Sequence, residues 1–431
     1  MGNVRDISEK LWRGELTTAQ PEGHPFYSMV ELEEVTSDVG FYKAFSNITA
    51  VRTGDGLVLI DTGSFHPVAQ ERAHGKIRGW SPDRLHTAIY THGHVDHAYG
   101  LPPFLEEAKQ QRWPRPEIIA HHDVPARMDR YIETAGYNEI INLRQFGQAI
   151  QWPTDPIRPT QTYVDRLELR VGDCDFHLVH ARGETDDHTW VFLPRQRVLC
   201  TGDLFIWAVP NAGNPQKVQR YCIDWCHALR QMAALEPEYL LPGHGVLIEG
   251  QQRVSQALLD TADYLESLYR QTVDLMNDGA SIEQIIHAVH PPQSLADKSY
   301  LQPVYDEPEF IVRNIHRCLG GWYTGVASEL KPAPRNEQAA QIVALAGGVE
   351  PLLQRAGKLA DEGRWRLACH LVDWAADVEP DSREVHQLRA SVYERRAESE
   401  TSTMAQGIFA AASAESAKKL DPENADGGAS S

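Results

Sequence analysis

Thr91-His92-Gly93-His94-Val95-Asp96-His97 is the stretch on which the reading of this 431-residue chain turns. It follows an apolar run, residues 87–90, that reads as a buried strand. The segment is therefore a loop leaving a strand end, where several side chains can fold around one point. In an extended loop, positions two apart point the same way, so His92 and His94 share one metal ion while Asp96 and His97 turn towards a second. Chance explains such a donor set poorly in a chain with 19 His among 431 residues.

Outward from the loop, residues 57–60 and 118–120 read as further buried strands, with helices over 68–80 and 104–113. Residues 167–171 and 174–179 flank Gly172-Asp173 as one hairpin, and 190–193 with 198–201 form a second. From residue 51 to about 245 the pattern is that of an α/β domain of layered sheet and helix. Beyond Gly245 the periodicity is helical, over 254–276, 282–289, 310–319 and shorter segments. His290-Pro291-Pro292 and Lys331-Pro332-Ala333-Pro334 punctuate it. Residues 349–396 resemble a tetratricopeptide-like helical hairpin, which must stack on neighbours or on another subunit to bury both faces. From Ala411 onward small and acidic residues dominate without aromatics, so a frayed tail is expected. The expected partition is a catalytic domain over 1–250, a helical domain over 251–410 and a flexible tail over 411–431.

Lys plus Arg number 41 and Asp plus Glu 60, a net charge of −19. That field repels phosphate backbones and anionic membranes, which excludes nucleic acid as a partner. No apolar run approaches the roughly 18 residues of a spanning helix, and the first fifteen residues hold no apolar core of a signal peptide. A soluble, unexported, cytoplasmic protein without membrane insertion is expected. Six Cys without a Cys-x-x-Cys pair fit a reducing compartment. Cys222 and Cys226, beside His227, read as buried core thiols rather than ligands.

The histidine loop resembles that of the metallo-β-lactamase superfamily, whose His-x-His-x-Asp-His segment follows a strand of an αββα sandwich. Leu57-Val58-Leu59-Ile60-Asp61-Thr62-Gly63 is similar to that superfamily's earlier strand, and the resemblance makes Asp61 a support of the site. Val198-Leu199-Cys200-Thr201-Gly202-Asp203 supplies Asp203 as bridging acid, and Leu240-Leu241-Pro242-Gly243-His244-Gly245 supplies His244. Where the superfamily has a His in a Pro-Gly-His turn, His180-Ala181-Arg182-Gly183-Glu184 places a glutamate. The alkylsulfatase-like branch is similar in this respect, with a glutamate nineteen residues before its bridging acid, the interval between Glu184 and Asp203. Gly320-Gly321-Trp322-Tyr323-Thr324-Gly325 and Leu345-Ala346-Gly347-Gly348 look like that branch's helical dimerisation domain, which implies a homodimer. The fold class implied is an αββα sandwich followed by an all-α domain.

On this resemblance His92, His94 and Glu184 hold one ion, Asp96, His97 and His244 a second, and Asp203 bridges them. His188 rivals Glu184 as third ligand. Zinc, two ions per subunit, suits this mixture of imidazole and carboxylate, and brings the pKa of bound water to about 7. Asp96 also orients the attacking water. The implied reaction is hydrolysis of a small anionic ester, an alkyl sulfate, with Asn211 and either Lys217 or Arg220 at the sulfate. Of His121 and His122, neighbours on a strand, at most one faces the metals, and His180 reads as a supporting residue. Phe205, Trp207, Tyr221 and Trp225 line a substrate tail or pack the core. Residues 300–305 form a lid that brings Tyr305 over the cleft. The rival reactions are hydrolysis of another ester, thioester, lactone or lactam, and the rival class is a metal-stabilised scaffold that binds partners through its helical half.

Overall fold

Helix α1 (Val4–Arg13) leads into β1 (Glu31–Thr36), β2 (Val39–Lys43), β3 (Ile48–Arg52) and β4 (Leu57–Ile60), an antiparallel meander. The computed structural model describes residues 4–421. Helices α2 (Pro67–Trp80) and α3 (Pro102–Gln111), each opened by a proline whose missing N–H costs nothing there, carry the chain into β5 (Leu85–Ile89) and β6 (Glu117–His121). Helices α4 (Val124–Glu133) and α5 (Ala135–Phe146) precede β7 (Gln161–Tyr163). Strands β4 to β7 are parallel neighbours, so the sheet runs β1 to β7 in order.

The second sheet begins with the antiparallel strands β8 (Arg166–Val171), β9 (Cys174–His180), β10 (Thr189–Leu193) and β11 (Val198–Gly202). Helix α6 (Cys222–Ala233) crosses to β12 (Tyr239–Pro242), parallel to β11, and β13 (Ile248–Glu249) closes the edge. One apolar cluster joins the sheets, with Phe41, Val58 and Ile89 from the first and Phe176, Trp190 and Leu240 from the second. Each such side chain, fully buried, contributes about 1.5–3 kcal/mol.

Parallel pairing decides where the loops go. The ends of β4, β5 and β6 leave one edge of the first sheet, and those of β11 and β12 one edge of the second, so the segments after them are available to a common site. Asn47, in the turn between β2 and β3, ties the two together. Its backbone N–H donates to Gly243 O, and its side-chain amide donates to Pro242 O and Gly245 O at 2.9 Å each.

Helices α7 (Gln251–Asn277), α8 (Ile282–Ala288), α9 (Gln293–Ala296) and α10 (Pro308–Gly320) follow, and then α11 (Arg335–Ala346), α12 (Val349–Asp361), α13 (Trp365–Val378), α14 (Arg383–Glu398) and α15 (Thr403–Leu420). The expected boundary at 250/251 differs from the observed one. Residues up to 135 with 152–322 form one compact unit, and 136–151 with 323 onward a second. The reason is α7, whose stripe Val254, Leu258, Leu265 and Leu268 is buried with Trp225 and Leu229 of α6 in the sandwich's own cluster. The second unit has its own core, Leu359, Val372, Val392 and Tyr393 among others.

The tail expected from residue 411 is helical up to Leu420, while 422–431 lie outside the described residues. Ser402 caps α15 by accepting from Ala405 N–H, and Arg389 donates to Ala412 O and Ser416 Oγ. Segment 300–305 is no open lid: Tyr300, Leu301, Val304 and Tyr305 are all buried. No helix among the described residues is long and apolar enough to cross a membrane, and all six cysteines are unpaired, Cys222 and Cys226 in the core.

Asn47→Ala should cost about 1–3 kcal/mol, because two buried carbonyls lose their donor. Urea denaturation with an unchanged slope measures it, and a stability equal to wild type would count against the role of this tie.

Candidate metal centre

Asp61, just past β4, sets the loop. Its backbone lies in the left-handed region at φ 59°, and its buried carboxylate accepts from Thr91 N–H at 2.7 Å, Thr91 Oγ1 at 2.9 Å and His97 Nδ1 at 2.8 Å. With its Nδ1 proton held there, His97 turns Nε2 into the site. Thr91 Oγ1 lies 2.9 Å from His92 Nδ1, so a hydroxyl already donating to Asp61 accepts the His92 proton, and His92 Nε2 is likewise turned inward. His244 Nδ1 donates to Phe45 O at 2.5 Å, with the same consequence for its Nε2.

The inward atoms form two groups. His92, His94, Glu184 and Asp203 present ligating atoms within 4.8 Å of one another, and so do Asp96, His97 and His244. Asp203 reaches both: Oδ2 is 3.8 Å from His92 Nε2 and 3.4 Å from His244 Nε2, and Oδ1 is 3.3 Å from His97 Nε2. Asp96 Oδ2 stands 3.4 Å from both His97 Nε2 and His244 Nε2. Glycines make room, since a Cβ on Gly243 would sit 2.2 Å from Asp203 Oδ1 and one on Gly93 2.9 Å from Arg127 Cδ.

Burial, then the neighbouring His94 and His97, push His92 well below its ordinary value, so its lone pair is free to coordinate. Burial likewise lowers His94, beside Arg127. His97 and His244 go the other way, because Asp203 and Asp96 outweigh the burial that opposes them, and His244 is raised to about 9. Glu184 is raised by burial against the pull of Arg220. The donor set fits divalent metal ions on one decisive observation: Glu184 Oε2 and Asp203 Oδ1, both buried, have no hydrogen-bond partner. Unpaired buried carboxylate oxygens facing imidazole nitrogens are costly unless a cation joins them.

His188 is turned to another task. Its Nε2 accepts from Asp203 N–H at 3.1 Å, and its ring stacks on His92 at 4.8 Å, so Glu184 and not His188 stands with His92 and His94. Asn211 Nδ2 donates to Glu184 Oε1 at 2.8 Å, and Arg220 Nη2 meets the same oxygen at 2.8 Å while Nη1 donates to Glu184 O. Both therefore aim Oε2 at the histidines. Lys217 is half-buried with its ammonium 5.8 Å from the Trp152 ring centroid and has no ion pair among the described residues. Burial pushes it down to about 8, Arg220 adding to the effect and Glu184 and Asp96 opposing it. Tyr305 packs edge-on against Phe26 at 4.6 Å, and Phe26 against His244 at 4.8 Å. Phe205, Trp207 and Trp225 belong to the core.

Sequence reasoning missed three supports. Arg127 Nε donates to Asp187 Oδ2 at 2.7 Å, and that oxygen also accepts from Gly93 N–H at 3.1 Å, which pins the histidine loop. Lys43, fully buried, donates to Pro25 O, Tyr27 O and Ala44 O at 3.2, 2.6 and 2.5 Å, and so fixes the segment bearing Phe26. Asn47 is the third. Apart from Ala44, next to Lys43, their partners lie far off in sequence, and only Asp187, three residues from Glu184, carried a local signal.

Residues 42–244 match the family model described as metallo-beta-lactamase superfamily, and residues 281–419 the model described as alkyl sulfatase dimerisation. The chain is 26% identical over 370 residues to a linear primary-alkylsulfatase of a Pseudomonas sp., a match covering 80% of this chain and 69% of the relative. It is 24% identical over 387 residues to an alkyl/aryl-sulfatase of Saccharomyces cerevisiae, covering 81% and 58%. Its fold is that of a stereoselective inverting sec-alkylsulfatase from Pseudomonas sp., with a TM-score of 0.79 at 19% identity over 91% of this chain and 66% of that one. The chain thus spans from 58% to 69% of the length of these relatives. It belongs to the metallo-β-lactamase superfamily of hydrolases, in the alkylsulfatase-like branch that carries the alkyl sulfatase dimerisation region.

Proposed function

We propose that this chain is a dinuclear zinc-dependent hydrolase of alkyl sulfate esters. The observation that carries it is the pair of converging donor groups spanned by Asp203, with Glu184 as a carboxylate in the first group. His92, His94 and Glu184 would hold one ion, Asp96, His97 and His244 the other, and Asp203 would stand between. When bound, the ions supply Lewis acidity and bring the pKa of water to about 7.

The chain's own residues supply position and charge. Burial pushes Asp96 up, but His97 and His244 hold its carboxylate well below the usual range, so it stays anionic and accepts a hydrogen bond from the attacking water. Its side chain is 23% exposed, against none for Glu184 and 9% for Asp203, which makes it the carboxylate of the set that solvent reaches most readily. Arg220 and Asn211 are committed to Glu184, so Lys217 is the cation left to meet an ester sulfate. Phe26, Phe45 and Tyr305 form an apolar wall at His244 that excludes water from one side of the reacting ester and suits an alkyl substituent. The match of residues 281–419 supports a homodimer.

Purified zinc-loaded protein should release sulfate from a medium-chain alkyl sulfate, lose that turnover on chelation and regain it with zinc. Protein carrying its metal and releasing no sulfate would sink the substrate class and direct the search to esters, thioesters, lactones or lactams. Lys217→Ala should lower kcat/KM about 10–100-fold, chiefly through KM, and Lys217→Arg should restore most of it, as expected of a hydrogen bond to a charged partner. A loss confined to kcat in both variants would refute the binding role. Sedimentation velocity should give twice the chain mass, and a monomer at micromolar concentration would refute the dimer.

A further inference from the structure

Beside the main centre, His121, His122 and Asp123 each bring one ligating atom within 4.8 Å of the others. We propose that these three residues hold a further transition-metal ion of the imidazole-preferring kind, zinc, nickel or cobalt, separate from the two donor groups already described.

The local chain explains how adjacent histidines meet, against the expectation that they point to opposite faces. His121 is the last residue of β6, paired with Tyr163, and at Asp123 the backbone turns to φ −84°, ψ −11° to enter α4. Strand alternation ends there. The His122 ring folds against that of His121, centroids 4.3 Å apart at 67°, with His122 Nδ1 3.0 Å from His121 Nε2. Asp123 closes the cluster, Oδ1 3.3 Å from His122 Nε2 and Oδ2 3.7 Å from His121 Nδ1.

Three further observations point to a ligand. Asp123 occupies the N-cap of α4, yet its side chain makes no capping hydrogen bond; the carboxylate faces the imidazoles instead. No Lys or Arg pairs with Asp123 among the described residues. His121 itself is 1% exposed and closed on its other side by the ring of His180, stacked at 3.7 Å and 8°. Burial, with His180 and His122 beside it, pushes His121 down to about 4, so its ring is neutral; its Nδ1 accepts from Asp123 N–H at 3.4 Å and its Nε2 lies 3.0 Å from His122 Nδ1, contacts of which a bound ion would replace one. A neutral buried imidazole, a second imidazole and a carboxylate without a cation make a donor set with the cation left out.

The class of ion follows from the donors. Two nitrogens and one oxygen suit zinc, nickel or cobalt, whereas magnesium and calcium take oxygen. His122 and Asp123 are 48% and 45% exposed, so an ion enters from solvent and keeps water in its remaining positions. Because β5 and β6 are parallel neighbours, this cluster leaves the same edge of the sheet as the histidine loop. His180 Nδ1 donates to His188 O at 2.9 Å, a fixed backing that keeps the stacked ring against His121.

The test is metal content, not activity. The whole chain, dialysed against micromolar free zinc and washed, is analysed by elemental mass spectrometry beside His122→Ala and Asp123→Asn, both exposed positions at which folding is preserved and checked by circular dichroism. The expected result is one equivalent fewer in each variant than in the native chain. Equal content in all three overturns the proposal, and so does a loss of more than one equivalent, which would mean that these residues act on the main centre. The comparison reads a difference, so it holds whatever number of ions the main centre takes and whatever ester it cleaves.

Discussion

The constraint on which the rest of the site depends is the buried carboxylate of Asp61. It lies at the end of β4, in a left-handed conformation that a residue with a side chain adopts only when its surroundings demand it. The demand is visible in three bonds at 2.7–2.9 Å, which fix the backbone of Thr91, the hydroxyl of Thr91 and the ring of His97. Through that hydroxyl the same carboxylate reaches His92. Two imidazoles on different sides of the loop thus take their tautomer and direction from one oxygen pair, and the strand that holds Asp61 fixes them relative to the first sheet. Asn47 does the corresponding work across the sheets, holding the Gly243–Gly245 turn and with it His244.

A glutamate at the place of the usual histidine changes what its surroundings must supply. A neutral imidazole needs one hydrogen bond to orient it, while a buried carboxylate needs charge compensation for two oxygens. Arg220 and Asn211 provide it for Oε1, and Oε2 is left to face His92 and His94. An arginine engaged both with the side chain and with the backbone carbonyl of Glu184 is not free to move to an incoming anion. The cost of exchanging His for Glu is therefore a cation, and the wall needs another. Lys217, its ammonium 5.8 Å from the Trp152 ring centroid, has no carboxylate of its own among the described residues, and Asp187 takes another deeply buried guanidinium, Arg127.

What the sequence made legible was local. The histidine loop, Asp61, Glu184, Asp203 and His244 each sit next to a strand whose apolar run is unmistakable, and β4 spans the four residues expected. The meander β1 to β3 was not read, for two physical reasons. β2 is buried at every position, so no alternation marks it, and it ends in Lys43, a residue that reads as surface but whose ammonium is capped by three carbonyls. Burial without a counter-charge pushes that ammonium down to about 7. The compact units do not divide at 250, because an amphipathic stripe says that α7 needs a partner and not which one. Residues 411–420 were misread because Ala and Ser suggested disorder, where alanine is the best helix former and Ser402 supplied the cap.

The net charge of −19 stands against binding an anionic ester, and the resolution lies in distance. At physiological ionic strength charges are screened over about 8 Å, so a substrate near the centre feels its immediate wall and little of the remote acidic surface. Near the centre Lys217 has no ion pair among the described residues, and burial, with the nearby guanidinium of Arg220, lowers its hold on a proton. Glu184 and Asp96 oppose that effect. The acidic surface elsewhere then acts against polyanions, which span many screening lengths and meet it, while leaving a small monoanion to the wall.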